Sequence, residues 1–349
     1  MKRMIEAQAR FATWLLTLVL LISPLLSPLR AAVTDTADSN TATADAAKES
    51  LDRILGGAAP MGVADLKAMQ DHVRKLTDQL MKCTVGVQVG QAQGSGVIIS
   101  KDGYVLTAAH VAGRPNRDVK FILSDGKEMT GKTLGLNRTL DAGLMKISGA
   151  DDLPFSEMGD SGSIKLGQWC LATGHPGGYQ SDRKPVLRLG RVQWTGEEAI
   201  TTDCTLVGGD SGGPLFNMQG KVVGINSRIG SELNANMHVP VGTFKETWDR
   251  LTKAEAWGFY PGNKPILGVE RDPDATNAKI AVVRAGSPAE KSGLKAGDVV
   301  LKIDGVEVSS FDALSDAIKE HQPRDNIKLV IQRGEETLEK SVTLARQRD

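Results

Sequence analysis

A chain of 349 residues exceeds what one ordinary hydrophobic core organises and points to about two domains. Its 40% hydrophobic and 24% charged residues make a globular composition, and 42 Lys and Arg balance 42 Asp and Glu. That neutrality supplies no field for nucleic acid or an anionic membrane surface, so nucleic acid is not an expected partner.

The N-terminus has the pattern of an export signal over residues 1–32. Lys2, Arg3 and Arg10 lead into the apolar run Phe11 to Leu29, and the small residues Ala31 and Ala32 follow. The run approaches bilayer-spanning length, while Pro24 and Pro28 interrupt a continuous helix, so a cleaved signal is favoured over an uncleaved anchor. Both place the remainder outside the cytoplasm. Residues 33–82 divide into a tether, Thr34 to Ala47, with no large apolar side chain, and a helix. On that helix Leu66, Met69, Val73, Leu76 and Leu80 step by three and four and form a narrow apolar stripe. Packing on its own domain is favoured over a subunit contact, since two heptads do not make a coiled coil.

From Cys83 the texture changes to short β-rich runs: VGVQV, GVIIS, a turn at Lys101, Asp102 and Gly103, then YVLTAAHV. Such runs continue to about Val241, which predicts an all-β barrel or sandwich, and residues 244–256 read as a helix closing a domain over 83–256. A linker at 257–264, ending in the breaker-rich PGNKP stretch, leads to a small α+β module over 265–349 with a helix at 311–321. The three cysteines, Cys83, Cys170 and Cys204, show no metal-ligand spacing and read as small buried residues, although an exported chain has room for one disulfide.

Two serines sit in the same setting, Ser161 in GDSGS and Ser211 in GDSGG. A serine hydroxyl attacks only with a base to take its proton and a carboxylate to orient that base. Of five histidines, His110 ends the strand YVLTAAHV among small residues that leave room for substrate; His72, His175, His238 and His321 lack that setting. Asp141, just ahead of an apolar strand in the same half of the domain, is preferred over Asp118 and Asp125 in polar turns. Ser161 falls between the two halves of the β region, before the second half has supplied a pocket wall. Ser211 is enclosed by strands of that half, and the flanking Gly208, Gly209, Gly212 and Gly213 let the Gly209 and Ser211 N–H groups face an oxyanion. Ser211 is therefore the expected nucleophile.

TAAHV, LDAGLMKI and GGDSGGPL, in the order His, Asp, Ser, resemble the chymotrypsin-like serine proteases and specifically the HtrA (Deg) family, over about Cys83 to Leu251. GDS at 159–161 matches that family's non-catalytic turn. ILGV at 266–269 and GSPAEKSGLKAGDVVLKIDG at 286–305 resemble a PDZ domain. The resemblance implies a mostly β fold, a double six-stranded barrel followed by an α+β PDZ domain. It also implies an endopeptidase without metal or other cofactor, acting on unfolded or damaged exported proteins, with a trimer or larger homo-oligomer as its assembly. It places Thr205, Leu206, Ile225, Asn226 and Ser227 near the substrate, with Arg228 beside them, a charge unusual in an apolar pocket and expected to point outward. Ile266, Leu267, Gly268 and Val269 become a loop catching the carboxylate of a hydrophobic C-terminal peptide, with Leu314 and Ile318 on the groove or in the core.

The chain departs from the family pattern at Val207 to Asp210, where Asn-Pro-Gly-Asn is usual, at His175 in place of an Asn, and at MHVPV over 237–241. Two other readings stand beside the peptidase: a catalytically silent peptide-binding or chaperone-like protein, and an esterase using the same triad.

Overall fold

The computed structural model describes residues 48–230 and 235–347. The expected export signal and the tether up to Ala47 lie outside the described residues. A helix over residues 48–55 precedes α1 (Val63–Cys83). Met69, Leu80 and Cys83 of α1 are buried, and Val73 and Leu76 pack beside them against a core that includes Phe216, Met218 and Val222. His72 Nε2 donates to the Met218 carbonyl at 2.6 Å, while Leu66 stays 55% exposed. The stripe thus serves the helix's own domain over most of its length.

Six strands form the first barrel: β1 (Thr84–Val89), β2 (Ala92–Ile98), β3 (Tyr104–Ala108), β4 (Asp118–Ile122), β5 (Glu128–Asn137) and β6 (Ala142–Ile147). They run β5-β4-β1-β2-β3-β6, and a β5–β6 pairing closes the ring. The β2–β3 hairpin turns where expected, with Gly103 at φ +93° supplying a conformation that a side chain disfavours. Val85, Val87, Ile98, Val105, Phe121 and Met145 fill the interior, each fully buried aliphatic or aromatic side chain stabilising by about 1.5–3 kcal/mol. One helical turn, α2 (Ala109–Ala112), follows β3.

The second barrel closes in the order β10-β11-β12-β9-β8-β7. Its strands are β7 (Trp169–Gly174), β8 (Val186–Thr195), β9 (Ile200–Thr202), β10 (Pro214–Asn217), β11 (Val222–Ile229) and β12 (Asn236–Pro240). Cys170 and Cys204 lie buried inside it as free thiols, their sulfurs 3.9 Å apart. Cys83 is also free and buried, and burial pushes its thiol up to about 12. Two short helices, α3 (Val241–Glu246) and α4 (Trp248–Thr252), stand where the sequence predicts one. The expected linker begins as structure: β13 (Ala256–Trp257) adds to β5 in parallel, with Arg250 stacked 4.0 Å over the Trp257 ring.

In the C-terminal module β14 (Pro265–Ile266) pairs with β21 (Ala345–Arg346), and β15 (Val269–Arg271) pairs with β16 (Ile280–Val283). A four-stranded sheet runs β18-β17-β19-β20, from β17 (Val299–Ile303), β18 (Val306–Glu307), β19 (Asn326–Arg333) and β20 (Glu336–Thr343). Ile327, Leu329 and Ile331 alternate inward along β19, the period of a half-buried strand. Helix α5 (Pro288–Lys291) starts at a Ser287 cap with Pro288 in the first turn. Ser310 caps α6 (Phe311–Lys319) by accepting from the Ala313 N–H. The half-buried Arg333 reaches the buried Asp298 at 2.7 Å and joins β19 to the residue just before β17. The module meets the barrels through the Gly258 N–H donating to the Glu320 carbonyl at 2.9 Å and through Arg250 to Glu320 at 2.9 Å.

Candidate active site

The end of β3 and the start of β6 lie side by side, Ala108 opposite Ala142. This pairing brings His110, one residue into α2, against Asp141, one residue before β6. Asp141 holds a left-handed backbone at φ +64°, a conformation that Asp tolerates better than most residues. Its carbonyl accepts from the Ala109 N–H at 2.9 Å and its Oδ1 from the His110 N–H at 3.0 Å, so it satisfies two free N–H groups at the head of α2. The same carboxylate brackets His110 Nδ1, with Oδ1 at 3.0 Å and Oδ2 at 2.9 Å. Facing two carboxylate oxygens, Nδ1 carries the proton and Nε2 keeps its lone pair. The Asp141 side chain is 4% exposed and that of His110 42%, so the acid is sheltered and the imidazole faces solvent.

Ser211 lies on the turn between β9 and β10. Ser95 of β2 crosses from the first barrel to hold it: its N–H donates to the Ser211 carbonyl at 2.8 Å, and its hydroxyl donates to the Gly209 carbonyl at 2.8 Å. The Gly208 carbonyl accepts from the Gly177 N–H at 2.6 Å, which turns the Gly209 N–H to the opposite side of that planar peptide. Gly209 has φ +95°, and an added Cβ would lie 2.4 Å from the His175 carbonyl oxygen, so glycine is required there. Among the described residues neither the Gly209 nor the Ser211 N–H has an acceptor, and no hydrogen bond joins Ser211 Oγ to His110 Nε2.

Behind this turn lies a buried polar network. Asn226 Nδ2 donates to the Thr173 carbonyl at 3.0 Å and the Asp210 carbonyl at 3.2 Å, which leaves its Oδ1 to accept from His238 Nδ1 at 2.9 Å. Nε2 of His238 then accepts from the Thr202 hydroxyl at 2.7 Å. Burial lowers the His238 pKa to about 3 and keeps the ring neutral. Burial, then the Arg183 charge, brings His175 down to about 4. Both ring nitrogens of His175 are buried without a hydrogen-bond partner among the described residues, and the ring lies beside Tyr179 at 5.6 Å. Asp210 is fully buried; Arg188 Nη2 sits 2.9 Å from its Oδ2, and the Val207 N–H donates to the same oxygen at 3.0 Å. Burial raises the Asp210 pKa against the lowering by Val207 and Arg188.

The trypsin-like peptidase domain family matches residues 94–225, and the PDZ domain family matches 265–344. A "probable periplasmic serine endoprotease DegP-like" of Hahella chejuensis is 34% identical over 272 residues, spanning 72% of this chain and 56% of that protein. One of the same name from a Marinomonas species is 35% identical over 274 residues, with the same two coverages. The chain thus carries a trypsin-like peptidase domain followed by a PDZ domain and is similar to DegP-like serine endoproteases. It spans about half the length of the curated relatives it matches, 56% in both cases. In fold it is similar to a variant of the HtrA-type protease AlgW solved with a decapeptide, at TM-score 0.50 and 22% identity over 79% of this chain and 97% of that one. A serine endoprotease from Yersinia pestis aligns at TM-score 0.50 and 21% identity over 79% and 98%. The double barrel joined to a PDZ domain is thus the HtrA architecture expected from the sequence.

The residues predicted near substrate divide. Thr205 is exposed, whereas Leu206 and Ile225 are buried in hydrophobic clusters. Asn226 serves the network behind the Ser211 turn, and Ser227 donates to Asp141 Oδ2 at 2.5 Å. Arg228 points outward and is exposed. In the PDZ domain Gly268 takes φ +85°, and a Cβ there would meet the Ser287 Cβ at 2.3 Å. The Gly268 carbonyl accepts from the Arg284 N–H at 3.0 Å, and Leu267 is buried between half-buried Ile266 and Val269. Leu314 and Ile318 both belong to the module's core, at 1% and 9% exposure. Ser161, the other GDS serine, accepts from the Gly242 N–H of α3 at 3.0 Å and so anchors a helix terminus.

Sequence reasoning missed Ser95 and Arg188. Ser95 sits in a small-residue strand with nothing local to single it out, and Arg188 is one of several basic residues in KPVLRLGR. Their partners, Gly209 and Asp210, lie on the turn between β9 and β10, 114 and 22 residues away.

Proposed function

We propose that this chain is an exported serine endopeptidase that cleaves unfolded or damaged polypeptides at Ser211. The observation that carries the reading is the His110 imidazole clamped at Nδ1 by both oxygens of a buried Asp141, with Nε2 free on the solvent side. His110 Nε2 takes the Ser211 proton as Oγ attacks the scissile carbonyl, and Asp141 orients the ring and stabilises the imidazolium. The free N–H groups of Gly209 and Ser211 stabilise the negative oxygen of the tetrahedral intermediate. His110 then gives its proton to the departing amine, and water releases the acyl group by the same route. The Ser211 to His110 contact forms as substrate seats, a closure common to sites without bound substrate.

The periplasmic names of the relatives support action in the cell envelope after export by the N-terminal signal. The matched PDZ domain supports capture of hydrophobic C-terminal peptides. Only β16 pairs with β15 among the described residues, so the free edge of β15 suits strand addition beside Ile266 to Val269. Among the described residues no helix is long and apolar enough to cross a membrane. Assembly as a trimer or larger homo-oligomer is part of the same reading and is measured by sedimentation.

An active-site serine phosphonate incubated with residues 33–349 and mapped by peptide mass tests the site: the adduct is expected on Ser211 and lost in His110→Ala. Label on Ser161, or none in folded protein, overturns it in favour of a silent peptide-binding protein. Turnover of an unfolded protein against a small ester separates peptidase from esterase.

A further inference from the structure

We propose that Arg188 is a positioning residue for the oxyanion site: from β8 its guanidinium grips Asp210 and thereby shapes the turn that presents the Gly209 and Ser211 N–H groups. The inference rests on the peptidase reading and deepens it.

The stretch from 208 to 213 contains four glycines, and a glycine-rich turn has little conformational preference of its own. Only Asp210 and Ser211 carry side chains there, and the Ser211 hydroxyl must remain free to react. Asp210 is therefore the one side chain able to anchor the turn. The segment is folded around it: the Val207 N–H donates to its carboxylate at 3.0 Å, its own N–H donates to the Val207 carbonyl at 3.1 Å, and the Gly213 N–H donates to its carbonyl at 3.0 Å. Its carboxylate is completely enclosed, and a buried carboxylate without a counter-charge is strongly unfavourable. Arg188 supplies that charge through both terminal nitrogens, Nη1 to Oδ1 at 3.2 Å and Nη2 to Oδ2 at 2.9 Å, with its side chain 17% exposed. Arg183, on the β7–β8 connection, is the other cation that acts on Asp210. The Gly177 N–H that holds the Gly208 carbonyl comes from that same connection. One hairpin thus grips the turn at two points on either side of the Gly209 N–H. Without Arg188 the Asp210 carboxylate turns toward water and carries the oxyanion N–H groups out of register.

The test compares Arg188→Met, Asp210→Asn, Arg188→Lys and the Met/Asn double variant in the full chain, reading kcat and KM on an unfolded-protein substrate and the rate of phosphonate labelling at Ser211. Arg188→Met is expected to lose about 100-fold in kcat, with KM changed by less than about threefold, because the lost interaction matters only once the oxyanion forms. Asp210→Asn keeps an acceptor for the Val207 N–H and is expected to lose about tenfold. The double variant should return to the Asp210→Asn level, since no unpaired charge then remains; a merely structural arginine would give additive losses. Full kcat in Arg188→Met, or a folded double variant as poor as Arg188→Met, overturns the proposal. If Arg188→Met does not fold, Arg188→Lys and the double variant decide, since neither buries a lone charge, and a folded, inactive double variant again overturns it. Wild-type protein that fails to label at Ser211 sinks the peptidase reading and this inference with it. Wild-type labelling with no difference among the variants sinks the inference alone.

Discussion

Ser227 Oγ donates to Asp141 Oδ2 at 2.5 Å, a contact from β11 of the second barrel to the acid of the first. Asp141 already serves the His110 ring and backbone, so Ser227 completes the enclosure of its carboxylate. Ser227→Ala should leave the fold intact and lower kcat by about 10-fold, within the worth of a hydrogen bond to a charged group. Steady-state kinetics on an unfolded protein measure it, and an unchanged kcat would show that the His110 to Asp141 pair needs no support from the second barrel.

The two GDS serines should respond oppositely. Ser161→Ala removes the acceptor of the Gly242 N–H at the head of α3 and should cost about 1 kcal/mol of stability while activity persists. Ser211→Ala should abolish turnover and leave the urea midpoint nearly unchanged. Activity surviving in purified Ser211→Ala would falsify the assignment of the nucleophile.

Acid should weaken the fold in a defined window. Both His238 and His175 are held neutral by burial, at about 3 and about 4, against 6.5 for a free imidazole. Between those values the unfolded chain binds protons that the folded chain excludes, so stability falls as pH drops below 6.5, by about 1.4 kcal/mol per pH unit for each histidine. The His175 loss is complete near pH 4 and that of His238 near pH 3. Urea unfolding at pH 7, 6, 5 and 4.5 reads the slope. His175→Leu, which removes two buried nitrogens that lack partners among the described residues, should reduce it by one histidine's share; an unaltered slope would mean that His175 gains its proton freely in the folded state.

In the PDZ domain, Leu314→Ala should destabilise by about 2–5 kcal/mol, as for a leucine deleted from a packed core, rather than simply weaken peptide binding. Gly268→Ala should do the reverse. Its positive φ and the 2.3 Å approach to the Ser287 Cβ force the loop at 266–269, proposed to bind the peptide carboxylate, to shift, with peptide affinity down at least about tenfold and peptidase turnover on short substrates retained. Calorimetry of both variants with a hydrophobic C-terminal peptide distinguishes the two roles.

By itself the sequence determined that a peptidase-like β region precedes a PDZ-like module, the β character of residues 83–241 and the choice of His110, Asp141 and Ser211 as candidates, because strand periodicity, glycine flanks and turn residues are local properties of a chain. It also put Ser211 ahead of Ser161 as the candidate by asking which serine strands enclose. Only the tertiary structure decided what each side chain touches. Ile225 and Leu206 went to the core, Asn226 to a network with His238, Ser227 to Asp141 and Leu314 to the interior of the PDZ domain. The physical reason is register. An inward-facing residue on a strand and one lining a pocket follow the same alternation, and the barrels' closure alone sets which strand faces which. Arg188 shows the limit most clearly: as one basic residue on a β-strand it carries no mark, and it acquires a role only because β8 runs past a fully buried Asp210.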